Sequence, residues 1–188
     1  MAMGRQVGRA KRTRYSSAKR CRDVDTAFVG LSFKEGMEAL DSRTKSGALI
    51  DEIVCGLAGI ECWRTNLVDD VLVDETGRGR KPTQREVTES FPRFEARVRK
   101  RHPRVVVALG ATTAKHVLWQ MAGARFTGWS GSLQYEVVQS DGIAYIAAHH
   151  PSHIAVYRRR ERDDYIGSLR AVISGALSGL PLPFGAAV

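Results

Sequence analysis

Apolar and polar positions fall into short blocks that alternate between strand-like and helix-like periods. Residues 24–32 (VDTAFVGLS) predict a buried strand running into a loop, followed by a polar stretch, 32–46, with no clear period. From Gly47 onward Leu49, Ile50, Ile53, Val54 and Leu57 share one helical face, and Gly59 is expected to stop that helix. ECWRTNLV at 61–68 reads as a second strand, and 69–82 as a charged loop. Thr83 followed three residues later by Glu86 is a capping box, in which each side chain satisfies the other's backbone amide. The helix it opens carries Val87, Phe91, Phe94 and Val98 as its stripe, with Pro92 expected to kink it. RVVVAL at 104–109 is short, β-branched and apolar on both faces, as in a parallel sheet covered by helices. Gly110 turns it into a helix starting near Thr112 or Thr113. Strands at 133–139 and 143–148 flank the turn Ser140-Asp141-Gly142, and a last helix spans 161–178, with Tyr165, Leu169, Val172, Ile173 and Ala176 inward.

Strands alternating with helices predict an α/β fold, a three-layer α/β/α sandwich around a mostly parallel sheet. Ligands of such sheets sit at the carboxyl ends of the strands. That criterion gathers Gly30–Ser32, Thr65-Asn66, Gly110–Thr113 and His149–Ser152 on one rim. No apolar run approaches the roughly 18–20 residues needed to cross a bilayer, and no signal-peptide pattern follows the start. The expectation is a cytoplasmic chain with no membrane partner.

Composition adds an asymmetry. The 188 residues carry +9, with 43% hydrophobic and 26% charged residues, values that exclude disorder throughout. Residues 1–22 hold eight basic residues and no acid, and the remainder is nearly neutral. The expected organisation is a basic arm, 1–22, ahead of a single domain, 23–188. Lys11, Arg12 and Arg14 lie in that arm, which suits a phosphate backbone because each neutralised phosphate releases counterions. The alternative is a solvated tail that aids solubility. Cys21, Cys55 and Cys62 are odd in number and not spaced as CxxC, so buried or inert thiols are expected rather than disulfides.

Candidate chemistry sits at the strand ends. His150-Pro151-Ser152 follows the predicted strand AYIAAH, which would aim His150 into the cleft; a purely structural histidine is the alternative. His149, His150 and His153 lie close together, but no carboxylate or cysteine follows at ligand spacing. Pro151 is expected to disrupt the helix that would align 149 with 153, so no metal is expected. The Asn66 amide offers one acceptor and two donors, enough to read a pyrimidine edge, or else to cap a turn. Leu109-Gly110-Ala111-Thr112-Thr113 is a strand, turn and helix start that favours anions. It has neither the P-loop lysine pattern nor GxGxxG, and no cofactor is expected.

In order along the chain stand Phe28-Val29-Gly30-Leu31, Ser46-Gly47 opening ALIDEI, Thr65-Asn66, Lys81-Pro82-Thr83 with Glu86, VVVALGATTA and His150-Pro151-Ser152. This ordered set resembles the uracil-DNA glycosylase superfamily, nearest its family 4 and family 5 branches, over residues 24–175. The resemblance implies a four-stranded parallel sheet, and DNA as partner of a monomer, with a base flipped into the rim cleft. It implies that His150 hydrogen-bonds the uracil O2 as charge develops on the leaving base, and that Asn66 reads the uracil edge. Gly30 and Leu31 would lie beside the sugar and the attacking water, with Ser32, Phe33 and Ser152 adjoining. Thr112, His153, Ile154, Tyr157, Arg158, Arg159 and Arg160 would meet the minor groove and phosphates. The chain departs from family 4 in carrying Leu31 where that branch has an acid, and from family 5 in following it with Ser32-Phe33-Lys34. Glu35 and Asp41 are the nearby acids that could orient water, or else simply solvated loop residues. Asp41-Ser42-Arg43 stands where family 4 has a stacking aromatic, which leaves Phe33 as the nearest candidate. Three scattered cysteines cannot assemble that branch's iron–sulfur cluster. The expected activity is hydrolysis of the N-glycosidic bond of uracil or a related modified pyrimidine in DNA. The alternatives are a non-excising base reader and a base-modifying relative.

Overall fold

The computed structural model describes residues 23–33, 36–129 and 133–179. Its elements run in order β1 (Thr26–Phe33), α1 (Lys45–Cys55), β2 (Cys62–Val71), α2 (Gln84–Arg101), β3 (Val105–Leu109), α3 (Ala111–Ala122), β4 (Glu136–Ser140), β5 (Ile143–Ala148), α4 (Pro151–Tyr157), a 3₁₀ turn (Arg159–Glu161) and α5 (Arg162–Ser178). The sheet order is β2-β1-β3-β5-β4. β2, β1, β3 and β5 are mutually parallel, and β4 pairs antiparallel with β5. The α/β/α sandwich is therefore present with five strands rather than four. The extra edge strand follows from local turn chemistry: Asp141 and Gly142 both take positive φ (51° and 76°), as a two-residue hairpin turn requires.

β1 and β3 lie inside the sheet and carry near-continuous apolar residues because helices cover both faces. On one face Phe28, Val105, Val107 and Ile146 pack against Leu49, Ile50 and Ile53 of α1, Ile154 of α4 and Leu169 and Ile173 of α5. On the other, Val29, Val106 and Ala108 pack against Phe91, Phe94 and Val98 of α2 and Val117 and Leu118 of α3. Among the described residues no helix is long and apolar enough to cross a membrane.

Two boundaries differ from expectation, each for a physical reason. α1 ends at Cys55 with Gly56 at the C-cap, not at Gly59. The Arg170 side chain donates to the carbonyls of Ile53 and Glu52, satisfying the helix end there, and it fills the space a Cβ at residue 56 would need. β2 runs to Val71, and its continuation folds back in a small hairpin (Arg80 N–H to Leu72 O, 2.9 Å; Asp74 N–H to Arg78 O, 2.8 Å) where a charged loop was expected. Pro151 opens α4, where its missing N–H has no partner to lose, so His149 stays outside the helix that carries His153, as expected.

The capping box of α2 is present: Thr83 Oγ1 accepts from the Glu86 N–H, and Glu86 accepts from the Thr83 N–H at 2.8 Å. Pro92 lies inside this 18-residue helix without ending it. Arg80 also grips Glu86 with two bonds (2.8 and 2.5 Å), and this guanidinium, ahead of the Thr83 amide, holds the carboxyl down at about 2. Thr83→Ala is expected to lower stability by about 1 kcal/mol. The Glu86 contribution is full above the ordinary carboxyl value of 4.5 and disappears as pH falls towards 2. The gap in denaturation midpoint between wild type and Glu86→Gln should therefore close over that range; a gap independent of pH would contradict the pairing.

Candidate active site

The carboxyl ends of the parallel strands open onto a cleft of about 570 Å³. Leu31, Ser32 and Phe33 from the end of β1 line one side, and His150, just past β5, lines another. The remaining wall is the β2 hairpin, through Val71, Leu72, Val73, Gly79, Arg80 and Lys81. That wall was invisible as a site element in a segment whose composition reads as a solvated loop. The alternation Val71, Val73 was the available signal, and both side chains are 43% exposed.

His150 is held by the start of α4. It is the N-cap residue, and its Nδ1 accepts from the Ser152 backbone N–H at 3.3 Å, with the Ser152 hydroxyl 2.7 Å from the same nitrogen. A backbone amide can only donate, so the hydrogen-bond pattern assigns the neutral ring's proton to Nε2. Beneath it, Gly110 ends β3 with φ +93°, and a Cβ there would stand 3.2 Å from the His150 Cβ. The Tyr165 hydroxyl donates to the His149 carbonyl (2.7 Å) and ties the strand end to α5.

Asn66 lies within β2 rather than at its end, paired in register with Gly30. It is 2% exposed, and its Oδ1 occupies the space a Gly30 Cβ would require. Its backbone carbonyl accepts from Arg97 of α2 (2.8 Å), whose guanidinium also pairs with Asp69. Gly30, Asn66, the 31–33 segment, His150 and Ser152 are thus brought together, with Asn66 beneath the cleft surface rather than on it.

Asp41 sits in the turn before α1. Arg43 embraces its carboxylate (2.7 Å), and the backbone N–H groups of Arg43 and Glu38 donate to it. The Arg43 guanidinium holds this carboxyl well below the usual range. Asp41 is not among the residues lining the cleft. Glu35, Lys11, Arg12 and Arg14 lie outside the described residues. Thr112 is exposed in the first turn of α3. His153 is exposed on α4, while Arg158, Arg159 and Arg160 line a separate open cavity of about 310 Å³ beyond it. Ile154, expected at the DNA surface, is fully buried in the α1/α5 core. Among the described residues no group of three or more His, Cys, Asp or Glu is placed to hold a metal ion. Burial pushes the Cys62 thiol up to about 11, so it is not a nucleophile near neutral pH.

A buried amide beneath the strand ends, a histidine whose Nδ1 accepts from the Ser152 N–H and a partly apolar cleft thus meet at the carboxyl rim of an α/β sheet. The model of the Uracil DNA glycosylase superfamily matches residues 16–172, and the chain belongs to that superfamily. Its members act on DNA, and membership points to a DNA glycosylase-type function. No match is found among curated proteins.

Gly110→Ala tests how the site is supported. An L-residue in that backbone region is strained by about 1–3 kcal/mol, so a corresponding drop in the denaturation midpoint is expected. An unchanged midpoint would show that the turn under His150 does not need its positive φ.

Proposed function

We propose that the protein hydrolyses the N-glycosidic bond of uracil, or a related modified pyrimidine, flipped out of DNA into the rim cleft. The observation that carries this reading is the Ser152 N–H donation to His150 Nδ1, which leaves Nε2 as a donor at the strand end. As the N1–C1′ bond breaks, its electron pair leaves with the base and charge collects on the base oxygens. An N–H preset for that oxygen stabilises the departing anion more than the neutral ground state. Asn66 lies beneath the cleft surface, between Gly30 and the Arg97-braced backbone, and its assignment as the residue that reads the pyrimidine edge rests on the resemblance. Phe33 offers the ring face beside it. Water then adds to C1′ and loses a proton to solvent.

Leu31 occupies the place where family 4 has an acid, and no carboxylate lines the cleft among the described residues. Asp41, committed to Arg43, serves the turn ahead of α1 in this reading. Catalysis then rests on stabilising the leaving base. A general base is worth roughly 10²–10⁴-fold, so turnover should be slow by comparison with enzymes that have one.

The deciding experiment measures base release from single- and double-stranded oligonucleotides carrying one uracil or one 5-substituted uracil. His150→Ala should cut release by about 10²–10³-fold while DNA binding persists, and Asn66→Ala should reduce both release and selectivity. Tight binding with no release from any pyrimidine would favour a non-excising reader of the same fold. The basic arm makes a separate contribution: deleting residues 1–22 should flatten the dependence of DNA affinity on salt, because fewer counterions are released. An unchanged slope would remove the arm from the interface.

A further inference from the structure

No described residue hydrogen-bonds the side-chain amide of Asn66, although the residue is buried. An amide in that position keeps its donors and acceptor for a ligand, but only the shape of its surroundings fixes which way it points. The missing side chain of Gly30 leaves room for it on one side. Its other neighbour there is Leu40, whose Cδ2 lies 3.4 Å from the point a Cβ on Gly30 would occupy, with Asn66 Oδ1 closer still to that point.

Leu40 reaches this place from an uncommon backbone. It is buried, and its φ of +50° lies in the left-handed region, which a leucine seldom takes. The turn around it is pinned on α1: Thr44 Oγ1 donates to the Asp41 carbonyl at 2.7 Å and accepts from the Gly47 N–H at 3.0 Å. The Leu40 carbonyl is held from β2, where Arg64 Nη1 donates to it at 3.0 Å. The same guanidinium pairs with Asp51 of α1, so one side chain joins β2, the turn and α1. Arg64 stands two residues before Asn66 on its strand. A half-exposed pair of this kind adds little stability, and its effect is on position.

We propose that Arg64 and Leu40 are positioning residues for Asn66: the guanidinium holds Leu40 in its left-handed conformation, and the Leu40 side chain confines the Asn66 amide to one orientation. The consequence, which rests on the reading of Asn66 as the residue that meets the base, is discrimination between uracil and cytosine. These bases differ at the 4-position, where one carries a carbonyl and the other an amino group. An amide free to turn over would satisfy either, and an amide that cannot turn satisfies one.

Asn66 is the only asparagine in the chain, so the full chain labelled with 15N-asparagine shows one side-chain amide, and its order is measured without any substrate. Wild type should give an order parameter close to that of rigid structure, about 0.85, and Arg64→Gln and Leu40→Ala should each bring it below about 0.6. Leu40→Met, apolar and of similar volume, should keep the wild-type value. Affinity is then compared for two oligodeoxynucleotides alike except for one 2′-fluoro-2′-deoxyuridine or one 2′-fluoro-2′-deoxycytidine, in which the fluorine hinders cleavage. Arg64→Gln and Leu40→Ala should each cut the preference for uracil about 10-fold, and the double variant should lose no more than either alone, because both act through one contact. Arg64→Gln leaves the core intact and carries the test even where Leu40→Ala fails to fold. An Asn66 amide as ordered in Arg64→Gln as in wild type, or a lower denaturation midpoint with order and preference unchanged, would overturn the proposal. A wild type that binds both oligonucleotides equally would overturn the base-reading role of Asn66 alone, and the order parameters would still decide its positioning.

Discussion

The first N–H groups of a helix have no partner inside it, and in α4 the acceptor that meets one of them is the ring of His150. That one contact begins the helix, orients the imidazole and decides which nitrogen keeps the proton. Other features are arranged around it. Pro151 needs no partner at the first helical position, Gly110 leaves space under the His150 Cβ, and Tyr165 secures the preceding carbonyl from a fully buried position. A side chain locked in this way loses little freedom when a ligand arrives, which is what preorganisation means in energetic terms.

The opposite wall is braced by charge as well as by the packing of Leu72 on the core. Arg80 leaves the hairpin to pair with Glu86 at the start of α2, and Arg97, three turns along the same helix, grips β2 at Asp69 and at the Asn66 carbonyl. Pairs so near the surface contribute little stability each. Their value here is positional, since both join α2 to β2 and so hold the hairpin and the buried amide in one frame.

The layered fold was legible because burial on both sides of a parallel strand leaves a direct mark, as in RVVVAL, and because the stripe of α2 and its capping box are local. The edge strand β4 was legible as a hairpin through Asp141-Gly142, whereas the four-strand count came from resemblance and missed it. His150, Ser152, Gly30 and the 31–33 segment could be read as a rim because strand ends are predictable. The hairpin wall could not, since Asp69–Pro82 is rich in charge and glycine and owes its shape to pairing with distant segments. The inward turn of Ile154 was hidden for a related reason: the seven residues of α4 are too few for periodicity to say which side faces the core. The end of α1 depended on Arg170, more than a hundred residues away in the chain.

In the proposed reading, Leu31 in place of an acid changes where the barrier must be lowered. A carboxylate beside the sugar would activate water and also favour positive charge at C1′. In the proposed glycosylase reading, bond breaking without one depends on how well the departing base is held as an anion, which puts the weight on the donor at His150. That reading implies early loss of the base and late capture by water, with the phosphates of the bound strand supplying the negative charge that the cleft side chains lack.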